Sequence, residues 1–61
     1  MGIFTLVINH RIVHDTTSMF DMIEYIDTQE WKEFCILVIR ENNIPIFTYR
    51  ITREGRFWNS I

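Results

Sequence analysis

Cysteine, proline and glycine are all scarce: one, one and two of 61 residues. The single thiol, Cys35, excludes an intrachain disulfide. With His10 and His14 it falls short of the four-ligand spacing of a structural zinc, so no metal and no cofactor is expected. Acid–base machinery is equally thin. His10, His14 and Asp15 have no nucleophile beside them and read as turn and strand-edge residues. Cys35, flanked by Phe34 and Ile36 with no adjoining cation, reads as an inert thiol. A chain this short with no convergent polar cluster is expected not to be an enzyme.

Long apolar runs are missing as well. Nothing approaches the roughly 18 residues of a membrane span. The start lacks the basic stretch and apolar core of a secretory signal, and Leu6 stands where a myristoylation motif has Ser or Thr. A lone unpaired thiol fits a reducing compartment. These features point to a complete cytoplasmic protein with no membrane role. Sparse Gly and Pro with 48% hydrophobic residues exclude disorder.

What is present is aromatic and aliphatic: five Phe, two Tyr, two Trp and a wealth of Ile. A single domain spanning 1–61 buries only about 60% of its unfolded surface. Natural scaffolds of this size lean on disulfides, a metal or association. With the first two excluded, a homodimer or another protein partner remains.

The hydrophobic pattern changes period along the chain. Residues 3–8, "IFTLVI", are β-branched and aromatic and suit a strand. Asn9-His10 turns the chain into a short second strand at residues 12–14. Met19, Met22, Ile23 and Ile26 then follow helical spacing. Ser18 and Asp21 in front of them resemble a capping box, and the helix is expected to end near residues 28–30. Residues 34–40, "FCILVIR", are apolar on both sides, as a central strand is. Asn42-Asn43 makes a two-residue hairpin turn, and Phe47, Tyr49 and Ile51 alternate with Thr48, Arg50 and Thr52. Counting back from that turn sets Val38 opposite Phe47, Ile36 opposite Tyr49 and Phe34 opposite Ile51, all on the helix side.

The expected fold is therefore α+β in two layers: a single helix on one face of a four-stranded antiparallel sheet, β-β-α-β-β, in the order 2-1-3-4. A short fifth strand fits at residues 56–58. One helix covers one face only. In this register the other face carries Ile3, Val7, Leu37, Ile39 and Ile46, rimmed by Thr5, Thr48 and Arg50, unless the C-terminal tail folds over it. Monomers rarely expose a contiguous apolar patch beyond a few hundred Å², so this face is the first candidate for a partner or dimer interface.

Charge supplies two rival surfaces. The net charge is −2, which disfavours nucleic acid as a partner. It is segregated, however. Asp21, Glu24 and Asp27, extended by Glu30 and Glu33, form an acidic helix surface, either a plain solvated side or a mimic of DNA phosphates. Arg50, Arg53 and Arg56 with Phe57 and Trp58 offer an arginine–aromatic surface of the kind that stacks bases and neutralises phosphates. Its bland counterpart is an edge defended against aggregation by arginine.

In size, aromatic richness and low Gly and Pro content the chain resembles small phage-encoded inhibitors of host machinery, anti-CRISPR and anti-restriction proteins among them. That likeness carries no residue across. It implies a short non-enzymatic protein that binds another protein, acts by surface occlusion, tends to dimerise and works in the host cytoplasm. The alternative function is a small nucleic-acid-binding regulator using the C-terminal arginines and aromatics.

Overall fold

Two asparagine-led pairs turn the chain, and both adopt the left-handed backbone that tight hairpins require. Asn9 and His10 have φ of 51° and 64°, and Asn42 and Asn43 have 51° and 69°, the sign needed at both central positions of a type I′ turn. The computed structural model describes residues 2–32 and 34–61. It runs β1 (Phe4–Ile8), β2 (Arg11–Thr16), α1 (Met19–Thr28), β3 (Cys35–Glu41), β4 (Ile44–Thr52) and β5 (Gly55–Ser60). Every pairing is antiparallel, and the order is β2-β1-β3-β4-β5. The expected α+β architecture and strand order hold. The strand count is five rather than four, because residues 55–60 pair with β4 along its length.

The helix starts where its cap lies. Ser18 is extended, and its Oγ accepts the N–H of Asp21 at 3.3 Å. The capping box is only half made. The Ser18 N–H turns to Thr16 Oγ1 (3.2 Å), while the Asp21 carboxylate reaches His14 on β2. At the other end the Trp31 indole donates to the Ile26 carbonyl at 2.9 Å, satisfying one of the acceptors a helix leaves orphaned. Met22 and Ile26 are fully buried, so the apolar stripe is the face that docks. Its backbone comes close to β2 and β1. Tyr25 stacks face to face on His14 with ring centroids 3.9 Å apart.

The principal correction concerns register. Glu41 faces Ile44 as expected, but the ladder then slips between Ile39 and Arg40, so that Arg40 meets Pro45 while Ile39 meets Phe47. Ile46 is the extra residue. One inserted residue moves every side chain of β3 to the opposite face. Leu37 and Ile39 are therefore 0% exposed in the core beneath the helix, alongside Leu6, Tyr49 and Ile51. Cys35, not Phe34, meets Ile51. Phe34 lies outside the strand with φ 62° and an exposed side chain, a backbone region that bulky residues seldom occupy.

Candidate interaction surface

On the uncovered face the ladders align side chains in rows across the sheet. One row runs Ile12, Val7, Val38, Thr48, Asn59; a second runs Asp15, Thr5, Arg40; a third runs Ile36, Arg50, Phe57. Thr5 and Val7 at the centre are buried by their neighbours, whereas Ile3, Ile12, Ile36 and Phe57 are exposed, Ile36 by 55% and Phe57 by 43%. The tail does not fold over this face. It continues as β5, and the Ile61 N–H closes the ladder on the Ile46 carbonyl at 2.9 Å. The N-terminal end is held too: Ile3 N–H donates to Asn42 Oδ1 (3.0 Å), and Asn42 N–H donates to the Ile3 carbonyl (2.9 Å).

Of the residues expected on this face, Ile3, Val7, Thr48 and Arg50 lie there. Leu37 and Ile39 are core residues, and Ile46, at the bulge, packs partly buried against that same core. Ile36 and Val38 occupy the places expected for Leu37 and Ile39. Pro45 was the available signal. Proline inside a strand occurs at edges or bulges, and β4 has neighbours on both sides, which leaves the bulge. Ile12 was missed because β2 was the least patterned strand.

The arginine–aromatic surface divides. Arg50 and Phe57 point to the uncovered side, Arg56 and Trp58 alternate to the helix side, and Arg53 stands in the turn between β4 and β5. No single surface gathers all five. Trp58 instead lies against Tyr49, centroids 4.5 Å apart, with Phe47 edge-on at 6.4 Å. Together with Met19, Ile23 and Phe47 it lines an open apolar cleft of about 310 Å³, where the helix leaves β4 and β5 uncovered.

On the acidic helix Asp21, Glu24 and Asp27 are all exposed, but they are not equivalent. Asp21 accepts from His14 Nε2 at 3.2 Å, and that hydrogen bond, aided by Thr16, holds its carboxyl below the ordinary 3.8. Phe20, 79% exposed, stands four residues before Glu24 and so breaks the acidic run with an aromatic ring. Glu30 is exposed as well, and Glu33 lies outside the described residues.

Comparison with protein-family models, curated proteins and solved structures finds no match. What the chain can do must be argued from its surfaces. Among the described residues no cluster of three or more His, Cys, Asp or Glu is arranged to hold a metal, and no helix is long and apolar enough to cross a membrane. His14 and Asp21 form a hydrogen-bonded pair, but His14 is stacked on Tyr25 and Asp21 is tied to the helix start. Their evident work is mechanical: they strap the N-terminal turn of α1 to β2.

Proposed function

We propose that the protein is a small non-enzymatic binding module that occludes the surface of a protein partner through its uncovered sheet face. The observation supporting this reading is that face itself. Among the described residues five strands carry a single ten-residue helix, on one side, and the other side presents Ile3, Ile12, Ile36 and Phe57 to solvent with Arg50 among them. Exposed aliphatic and aromatic side chains with arginine among them suit a protein interface, where aromatic residues and arginine are enriched. Threonine, valine and isoleucine on a regular sheet are stiff at χ1, so little side-chain entropy is lost on docking. Inhibition of host machinery in the manner of phage proteins, in a host cytoplasm, is the setting that size and composition favour.

The test is a paired capture. Wild type and Ile36→Glu are used as bait under identical conditions, with circular dichroism confirming that both are folded. The proposal expects a partner retained by wild type and lost by the variant. Retention by both places the contact elsewhere, with Glu24→Lys/Asp27→Lys as the next bait for the helix surface. Titration with labelled single- and double-stranded oligonucleotides at two salt concentrations covers the nucleic-acid alternative. Tight binding with a steep salt slope, the mark of phosphate contacts, would overturn the protein-partner reading.

A further inference from the structure

The sheet has two edges, and they are built differently. The β2 edge is broken by a register shift opposite Leu6 and Val7, carries Arg11, His14 and Asp15, and is strapped to α1 by His14. Bulges and charges of this sort are how proteins keep edges from pairing. The β5 edge carries a single charge, Arg56, has no register shift over its six residues, contains no proline, and exposes Phe57, Trp58 and Ile61. Its backbone orientation follows from the ladder. Ile61 donates inward to Ile46, and antiparallel strands alternate, so Asn59 and Phe57 also bond inward. Arg56, Trp58 and Ser60 turn their N–H and C=O groups outward.

From this we infer that the chain forms a twofold homodimer by antiparallel pairing of β5 with β5 of a second copy, centred on Trp58. The register is self-complementary. With Trp58 opposite its own copy, Arg56 falls opposite Ser60 of the other chain, and the outward-facing backbone groups of all three residues find partners. No like charges face each other across the pair. Side chains at 56, 58 and 60 all point to the helix side, so the two indoles meet beside the Met19–Ile23–Phe47–Trp58 clefts and shield the side of each that lies along the edge. A registration one residue away would set inward-bonded residues against outward ones and lose the hydrogen bonds. The two five-stranded sheets would become one continuous sheet with both helices on the same side, and the two uncovered faces would join. The pairing stands independently of whatever those faces bind.

The experiment is the solution mass by light scattering after size exclusion, over a concentration series, with amide exchange read in parallel. Twice the 7.5 kDa chain mass is expected, with the Trp58 and Ser60 amides protected in the dimer. Ser60→Lys sets a cation against Arg56 of the other copy in both symmetry-related pairs and should weaken the dimer about two- to thirtyfold, whereas Ser60→Glu should tighten it. Combining Ser60→Lys with Arg56→Glu should restore it. All three substitutions are at exposed sites, and the charge swap separates a register effect from a folding defect. A monomer at the highest soluble concentration overturns the inference. So does a dimer indifferent to Ser60 and Arg56, or one that Ile36→Glu dissociates instead.

Discussion

Leu37 and Ile39 are wholly buried, while Ile36 beside them is more than half exposed and Val38 only partly covered. Four consecutive aliphatic residues of one strand thus divide between two environments. The covered face is closed by α1 and by the aromatic packing of Tyr49 and Trp58. The uncovered face mixes Ile12, Val7, Val38, Ile36 and Phe57 with Asp15, Thr5, Arg40, Thr48, Arg50 and Asn59, and no helix among the described residues packs over it. Within residues 36–39 residue chemistry does not distinguish the two faces, but geometry does: the helix is ten residues long and is held over β1 and β2. The fold therefore leaves Ile12, Ile36 and Phe57 exposed on that side. On the proposed reading those exposed side chains are part of the binding surface.

The difference is sharpest under substitution with a charge. Leu37→Glu would place an unpaired carboxylate in the core, a change that costs at least about 4 kcal/mol. Small domains have total stabilities near the low end of about 5–15 kcal/mol, so the variant should be unfolded at room temperature by circular dichroism. A folded, soluble Leu37→Glu would mean that β3 presents the opposite face to the helix.

That outcome is linked to what could be read from residues alone. Turns, helix start, strand order and the inward set Phe47, Tyr49 and Ile51 were legible, because each rests on a local rule: left-handed asparagines, a serine cap, alternation. The facing of β3 was not. A strand apolar on both sides gives no amphipathic signal, so its register had to be carried from the Asn42-Asn43 turn, and a single bulged residue at Ile46 reversed it. Only Pro45 marked the spot. The arginine cluster failed as one surface for a related reason. Arg50 and Arg56 lie on neighbouring strands and alternate to opposite faces, which becomes visible only once β5 is registered on β4. The His14–Asp21 pair joins a strand to a helix across a turn, and neither residue's local pattern announces it.

Trp58 tests the weaker half of the covered face. It is 42% exposed and packed at a tilt against Tyr49, so Trp58→Ala should cost about 1–2 kcal/mol, well below the roughly 3–5 of a fully buried aromatic. Chemical denaturation with an unchanged m-value would confirm a local loss. A cost as large as a core deletion would mean that the cleft beside the helix is closed in solution.

Asp21 sharpens the account of why the helix sits where it does. Its carboxyl titrates below the ordinary 3.8 because His14, and then Thr16, hydrogen-bond the charged form. The folded state then binds fewer protons than the unfolded one. The pair's stabilisation is present above that ordinary value and is lost as pH falls through the lowered folded value. Asp21→Asn should lower stability slightly at neutral pH and leave it little changed in strong acid, so that the acid limb of the stability–pH curve flattens below about pH 4. Identical acid limbs would show that the strap contributes nothing in solution.

The smallest expected change in stability is the most informative about function. Ile36 lies on the uncovered face directly opposite Arg50 on β4, and both side chains are exposed. In Ile36→Glu the new carboxylate would stand across the ladder from a guanidinium, an opposite-charge pair worth about 0.2–1 kcal/mol, which offsets the poorer strand propensity of glutamate. The melting curve should move by no more than about 0.5 kcal/mol equivalent. The same substitution puts a carboxylate at the end of the Ile36–Arg50–Phe57 row, where a docking partner would have to desolvate it. A variant as stable as wild type, more soluble, and unable to hold the partner would separate what the face does for the fold from what it does for another molecule. A variant that unfolds would mean instead that this face is already covered within the chain, and the contrast between the two sides of the sheet would collapse.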